Sequence, residues 1–163
     1  MNKIVTNNIS IENAKIIFRN FSGRETQVNS AGDRNFCAVI EDQSLIDQLT
    51  EDGWNLKILE GNEEYGDAPK HILKVAVSFK NIPPKIYMVT KKNKTLLTEE
   101  TVGTLDYADI KNIDLIIAPY NWEMLGKSGV KAYLKTMYVV IEEDEFAYKY
   151  VNNEDNDDEG VPF

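Results

Sequence analysis

The residues best suited to chemistry in this 163-residue chain are lysines alternating with aromatic rings. Lys131, Tyr133 and Lys135 occupy every second position of one stretch, and Lys85 and Tyr87 repeat the spacing in another. Side chains two apart on a strand emerge on the same face, so each set presents ammonium groups beside an open ring. Single-stranded nucleic acid requires that combination. Cations follow the phosphates while the ring stacks on an unpaired base, for about 1–3 kcal/mol per base. An ordinary amphipathic strand with a half-buried tyrosine has the same lettering, so the repetition carries the reading and no single instance does. Lys70 and Lys74 share the polar face of a third stretch, Lys15 and Arg19 belong to a fourth, and Lys91-Lys92 open a basic turn. Arg24 and Arg34 bracket a polar segment, with Phe21 and Phe36 close to them in sequence. Trp122 follows Pro119-Tyr120-Asn121 and suits a stacking platform or a lid over a barrel end equally well.

The C-terminal residues offer a different chemistry. Asn152 to Phe163 contains five carboxylates within six residues, followed by Gly160-Val161-Pro162-Phe163. Such a run has too little apolar surface to offset its ordering entropy, and its like charges repel, so disorder is expected. A closing Phe163, with Val161 and Pro162 before it and Asp157, Asp158 and Glu159 upstream, reads as an anchor for a partner's pocket with basic surroundings. A solubilising tail is the plainer reading. The charge is divided unevenly: from Glu142 onward nine acids face one lysine, a net of -8, whereas Met1 to Ile141 carries -1 of the total -9. The body is close to neutral and can carry a local basic face, but its overall field does not attract DNA strongly.

Asp157-Asp158-Glu159-Gly160-Val161-Pro162-Phe163 resembles the acidic tip of bacterial single-stranded DNA-binding proteins, in which acids precede Ile-Pro-Phe. It departs from them in Val161 and in lacking a long Gly/Gln/Pro-rich linker. Several phage single-stranded DNA-binding proteins likewise close an acidic run with Phe. In the body, Phe18-Arg19-Asn20-Phe21-Ser22-Gly23-Arg24-Glu25 and Gly32-Asp33-Arg34-Asn35-Phe36-Cys37 are similar to the N-terminal part of phage-encoded single-stranded DNA-binding proteins from Gram-positive hosts. The resemblance implies an OB-fold body that coats single-stranded DNA with little sequence preference during replication or recombination. It further implies a tail that recruits a polymerase, helicase or nuclease. The site read from the basic and aromatic pattern comprises Lys15, Arg19, Phe21, Arg24, Arg34, Phe36, Lys70, Lys74, Lys85, Tyr87, Lys91, Lys92, Trp122, Lys131, Tyr133 and Lys135. The alternative is an acidic DNA mimic or adaptor that occupies a host nucleic-acid-binding protein.

The elements that must position these residues are short strands. Lys15 to Arg19, Arg34 to Ile40, Trp54 to Leu59, His71 to Phe79, Lys85 to Thr90, Ile113 to Ala118 and Val130 to Ile141 read as strands separated by turn residues. Asp42 caps a short helix that Gly53 ends, and Thr98-Glu99-Glu100 opens a second helical piece before Gly103. This rhythm predicts a mainly β protein, an OB-fold-like five-stranded barrel with extra strands or hairpins and one or two short helices. The expected division is a flexible leader at 1–10, a binding domain at 11–151 and an acidic tail at 152–163. Trp54 alternates with Leu56 and Ile58 and is assigned to the core, as is Cys37. Continuous alternation along the last strand puts Leu134, Thr136, Tyr138 and Val140 on the face opposite Tyr133.

Signals for catalysis are thin. There is one His and one Cys, and Gly61 to Gly66 lacks the glycines and lysine of a phosphate loop. His71 lies on an apolar strand face, and no zinc-ligand spacing is present. Acid pairs such as Asp106/Asp109 and Glu142/Glu143 arise by chance among 27 acidic residues. Tyr65 lies among acids that repel phosphate. A non-enzymatic protein without cofactor or metal is therefore expected. One cysteine, no apolar membrane span and no signal-like start fit a soluble protein of the host cytoplasm. A homodimer is one open arrangement.

Overall fold

The computed structural model describes residues 4–61, 64, 66, 68–80 and 82–142. Within them, nine strands join one sheet: β1 (Ile9–Ile11), β2 (Lys15–Asn20), β3 (Arg34–Ile40), β4 (Leu56–Leu59), β5 (Lys70–Val77), β6 (Lys85–Val89), β7 (Lys94–Leu97), β8 (Ile110–Met124) and β9 (Lys127–Ile141). The main path runs β1-β8-β9-β5-β3-β2, with β4 on β5 and β7 on β6. β9 is the hub. Its first half pairs in parallel with β5 at Val75↔Ala132, and its second half with β6 at Lys85↔Thr136. The protein is mainly β as expected, but the sheet does not close into a five-stranded barrel. β2 and β8 do not pair with each other, and the seam between them is bridged by Ala14 N donating to Ile113 O at 2.7 Å. The Arg19 guanidinium adds bonds to Leu105 O and Ala108 O, both at 2.9 Å.

Alternation explains the core. Phe36, Ala38 and Ile40 of β3 face Leu73, Val75 and Val77 of β5, with Ile113, Leu115, Ile117, Met137 and Val139 from the β8–β9 hairpin. Each large side chain so buried contributes about 1.5–3 kcal/mol. Trp54 is buried as expected. Cys37 is only half-buried and lies outside the core, on the outer face of β3 opposite Lys74, because its neighbours Phe36 and Ala38 take the inner phase. α1 (Gln43–Asp52) starts where Asp42 accepts from Ser44 N at 3.0 Å and stops at Gly53, whose φ of 86° closes the helix without a Cβ penalty.

Three segments differ from expectation. The leader is partly docked: Val5 is buried, its N–H and C=O pair with the Asn121 amide at 2.9 and 2.8 Å, and Ile9–Ile11 forms β1 on β8. The turn after β6 leads into β7, which pairs back on it. The expected loop around Pro119 is strand. β8 runs through it and turns at Leu125-Gly126, with φ of 51° and 79°, the mirror-image turn that suits a two-residue hairpin. Pro119 is tolerated because β1 pairing ends at Ile117, leaving Pro119 on a free edge.

Two bulges change which way side chains point. Ile116 pairs with Thr136 but Ile117 pairs with Leu134, so Lys135 is an extra residue in β9. Before it the even positions Val130, Ala132 and Leu134 point inward; after it the odd positions Met137 and Val139 do. In β2 the register slips between Ile17 and Asn20, and Phe18 there adopts φ of 54°. A bulky L-residue pays about 1–2 kcal/mol for that left-handed backbone.

Candidate nucleic-acid interface

The outer face of the β8–β9 hairpin collects most of the exposed rings. Tyr133 lies in register between Ala118 of β8 and Ala76 of β5, so small neighbours flank it on both sides. Tyr120 meets it edge-on with centroids 5.8 Å apart, and Lys131 Nζ stands 5.0 Å from its ring centre. Two residues toward the hairpin tip, Trp122 is 40% exposed and lies against Gly129, where an added Cβ would come within 2.9 Å of the indole. The glycine lets the ring lie flat on the strand. Lys74, Lys127, Lys131 and Lys135 are exposed around these rings, and none of them has an ion-pair partner among the described residues. Their charge is therefore available to phosphates.

Farther along β9 lies a second group. Tyr87 and Tyr138 stack with centroids 5.0 Å apart and planes 18° apart, and Lys94 Nζ sits 4.8 Å from the first ring and 5.9 Å from the second. Lys85 is exposed in register with Thr136, between the two groups. Tyr138 was expected to face inward. The Lys135 bulge turns it outward, onto the face of Tyr133. Trp122 to Tyr138 spans roughly 30 Å of strand at ~3.3 Å per residue.

Other expected contacts have different roles. Phe21 and Phe36 are 0% exposed and stack on each other at 5.3 Å, so neither has a free face for a base. Arg19 is committed to two backbone carbonyls. Asp106, with its side chain 1% exposed, accepts from Phe21 N at 2.6 Å, Ser22 N at 3.2 Å and Ser22 Oγ at 2.6 Å, and faces Arg24 at 3.8 Å. It pins the loop after β2 to the short 3₁₀ turn at Val102–Asp106. Arg24 also lies 5.9 Å from the exposed Tyr107 ring. Arg34 binds Glu99 at 3.3 Å and packs on Phe79, and Lys15 pairs with Glu41 at 3.1 Å. Lys70, at the start of β5, and Lys91 and Lys92, in the turn between β6 and β7, are exposed. Burial pushes the Cys37 thiol up, with Lys74 and then Lys57 pulling it down, so it stays protonated near neutrality.

Sequence reading missed Tyr138, Lys94, Tyr120 and Phe18. Tyr120 was hidden in an apparent loop, and its alternation with Trp122 was the available signal. Tyr65 and the tail residues Asp157, Asp158, Glu159, Val161, Pro162 and Phe163 lie outside the described residues. No group of three or more potential metal ligands occurs among the described residues, and no helix there is long and apolar enough to cross a membrane.

A family model described as "Putative phage ssDNA-binding domain" matches residues 1–161. The chain belongs to this family. A solved structure of a single-stranded DNA-binding protein from bacteriophage Enc34 superposes with a TM-score of 0.54 at 9% identity, covering 94% of this chain and 96% of that one. The same phage protein in complex with single-stranded DNA gives a TM-score of 0.53 at 12% identity, covering 89% and 96%. At these identities the likeness establishes the fold, an OB-fold-like arrangement with its sheet left open. No match was found among curated proteins.

Proposed function

We propose that this family member binds single-stranded DNA without sequence preference, along the outer face of β9. The observation that carries the reading is Tyr133, flanked by alanines, with Tyr120 edge-on, Lys131 at its ring and further lysines around it that have no ion partner among the described residues. A base stacks on the ring while its phosphates meet Lys74, Lys131 and Lys135. The Tyr87, Tyr138 and Lys94 group provides a second contact farther along the strand. The binding domain corresponds to 11–151 together with the docked segment from Val5, its role is phage DNA replication or recombination, and the setting is the host cytoplasm.

The tail at 152–163 supplies the regulatory half of the proposal. Its carboxylates compete with DNA for the lysines, and DNA binding frees Phe163 to recruit a replication or recombination protein. The motivation is the charge split between body and tail.

The direct test is fluorescence anisotropy of labelled oligo-dT across a salt series, with duplex competitor, on the intact protein and Tyr133→Ala. Salt-sensitive binding that prefers the single strand and weakens about 5- to 100-fold in the variant is expected. No binding, with or without the tail, overturns the reading and favours a DNA mimic or adaptor.

A further inference from the structure

Phe18 combines three properties that rarely coincide. It is an aromatic residue, its φ is 54°, and it is 61% exposed. The left-handed position of a bulge is one that glycine usually fills, because a side chain there is strained. Strain of this kind persists when surrounding contacts enforce it, and it clusters at functional sites. Here the enforcing contacts are visible. Arg19, the next residue, is tied to Leu105 O and Ala108 O, and Asn20 holds the Arg24 backbone through bonds of 3.0 and 2.9 Å. Those bonds fix the bulge but give the Phe18 ring nothing. It is absent from the side chains packed on the core, and it has no ring or cation partner among the described residues. A polar residue, asparagine or glycine would satisfy the backbone better. The exposed ring is therefore available for a contact that the free protein does not make.

Register places Phe18 relative to Tyr133. Tyr133 neighbours Ala76, which neighbours Asn35 and then Asn20, a row covered at its far end, where Asn20 is buried and Asn35 donates to Asn29 Oδ1 at 2.7 Å. The adjacent row holds Lys74, Cys37 and Ile17. Phe18 lies in the bulge between Ile17 and Asn20, next to the Ile17 end of the exposed Lys74 row. It is three strand spacings, about 14 Å, from Tyr133, with Lys74 between them.

We propose that Phe18 is a further base-stacking platform, and that the bound strand leaves β9 at Tyr133 and crosses the sheet over Lys74 to the β2 bulge. This rests on the single-stranded DNA reading above. The test is Phe18→Gly beside Phe18→Tyr, with Tyr133→Ala as reference, read by oligo-dT anisotropy and thermal melting. Glycine removes the ring and relieves the backbone, so the melting temperature is expected to hold or rise while affinity falls roughly 5- to 100-fold. Tyrosine is expected to keep wild-type affinity. Unchanged affinity in Phe18→Gly, whatever its melting temperature, overturns this inference. If the wild type binds oligo-dT and only Tyr133→Ala weakens it, the platform fails while the binding face stands. If the wild type does not bind, the underlying reading fails first.

Discussion

At the scale of single residues, burial separates rings that hold the protein together from rings that remain available. Phe21 and Phe36 stack in the core, and Phe21 also donates its N–H to Asp106. Tyr133 sits on an outer face with alanines at either side. The two classes predict opposite phenotypes. Phe21→Ala leaves a cavity where a fully buried ring stood and is expected to cost about 3–5 kcal/mol of stability. The fraction that remains folded is expected to bind oligo-dT normally. Tyr133→Ala is expected to lose affinity with a melting temperature close to wild type. Chemical denaturation combined with anisotropy distinguishes them, and a Phe21→Ala protein that folds with full stability but binds poorly would reverse the assignment.

At the scale of elements, the β8–β9 hairpin contributes more to the proposed interface than any other unit. Its extra residue, Lys135, reverses the phase of the strand and brings Tyr138 to the face of Tyr133. Its tip turns on Leu125-Gly126 with both φ values positive, a geometry in which Asn-Gly is favoured. Leu125 is 96% exposed and gains no burial in return for the backbone strain. Leu125→Asn is therefore expected to stabilise the protein by about 1 kcal/mol. For a chain of this length that raises the melting temperature by roughly 2–4 °C, measurable by scanning calorimetry. A fall instead would show that Leu125 is covered in solution, with a second copy of the chain as the first occupant to test.

At the scale of the whole molecule, charge is segregated along the chain, with -8 from Glu142 onward and -1 before it. Binding must therefore depend on local lysines, since a near-neutral body provides little long-range steering. If four or five lysines each displace a counterion, log K falls against log salt with a slope of about -3. Deleting 152–163 removes five carboxylates and, on the proposed competition, is expected to tighten binding and flatten its salt dependence at low ionic strength. The same oligo-dT titration on the shortened chain checks this, and an affinity identical to the intact protein would eliminate the competition.

The amino-acid sequence determined most of the strands and the helix locally, because alternation, Asp42 and Gly53 act through their immediate neighbours, but not β1, β7 or the part of β8 beyond Ala118. It also pointed to the family through the body and tail motifs, and to Tyr133 and Lys131 through spacing of two. Which residues share a face was another matter. Lys-X-Tyr-X-Lys reads identically on either side of a sheet, and an extra residue is defined only by the partner strand it fails to match. So the Lys135 bulge, the outward Tyr138, the strained Phe18 and the open seam between β2 and β8 emerged only in three dimensions. Phe21 and Phe36 beside two arginines look like a binding motif until the Asp106 anchor and the packing of β3 on β5 turn both rings inward. Phase and burial are set by contacts between segments distant along the chain, and no local pattern encodes them.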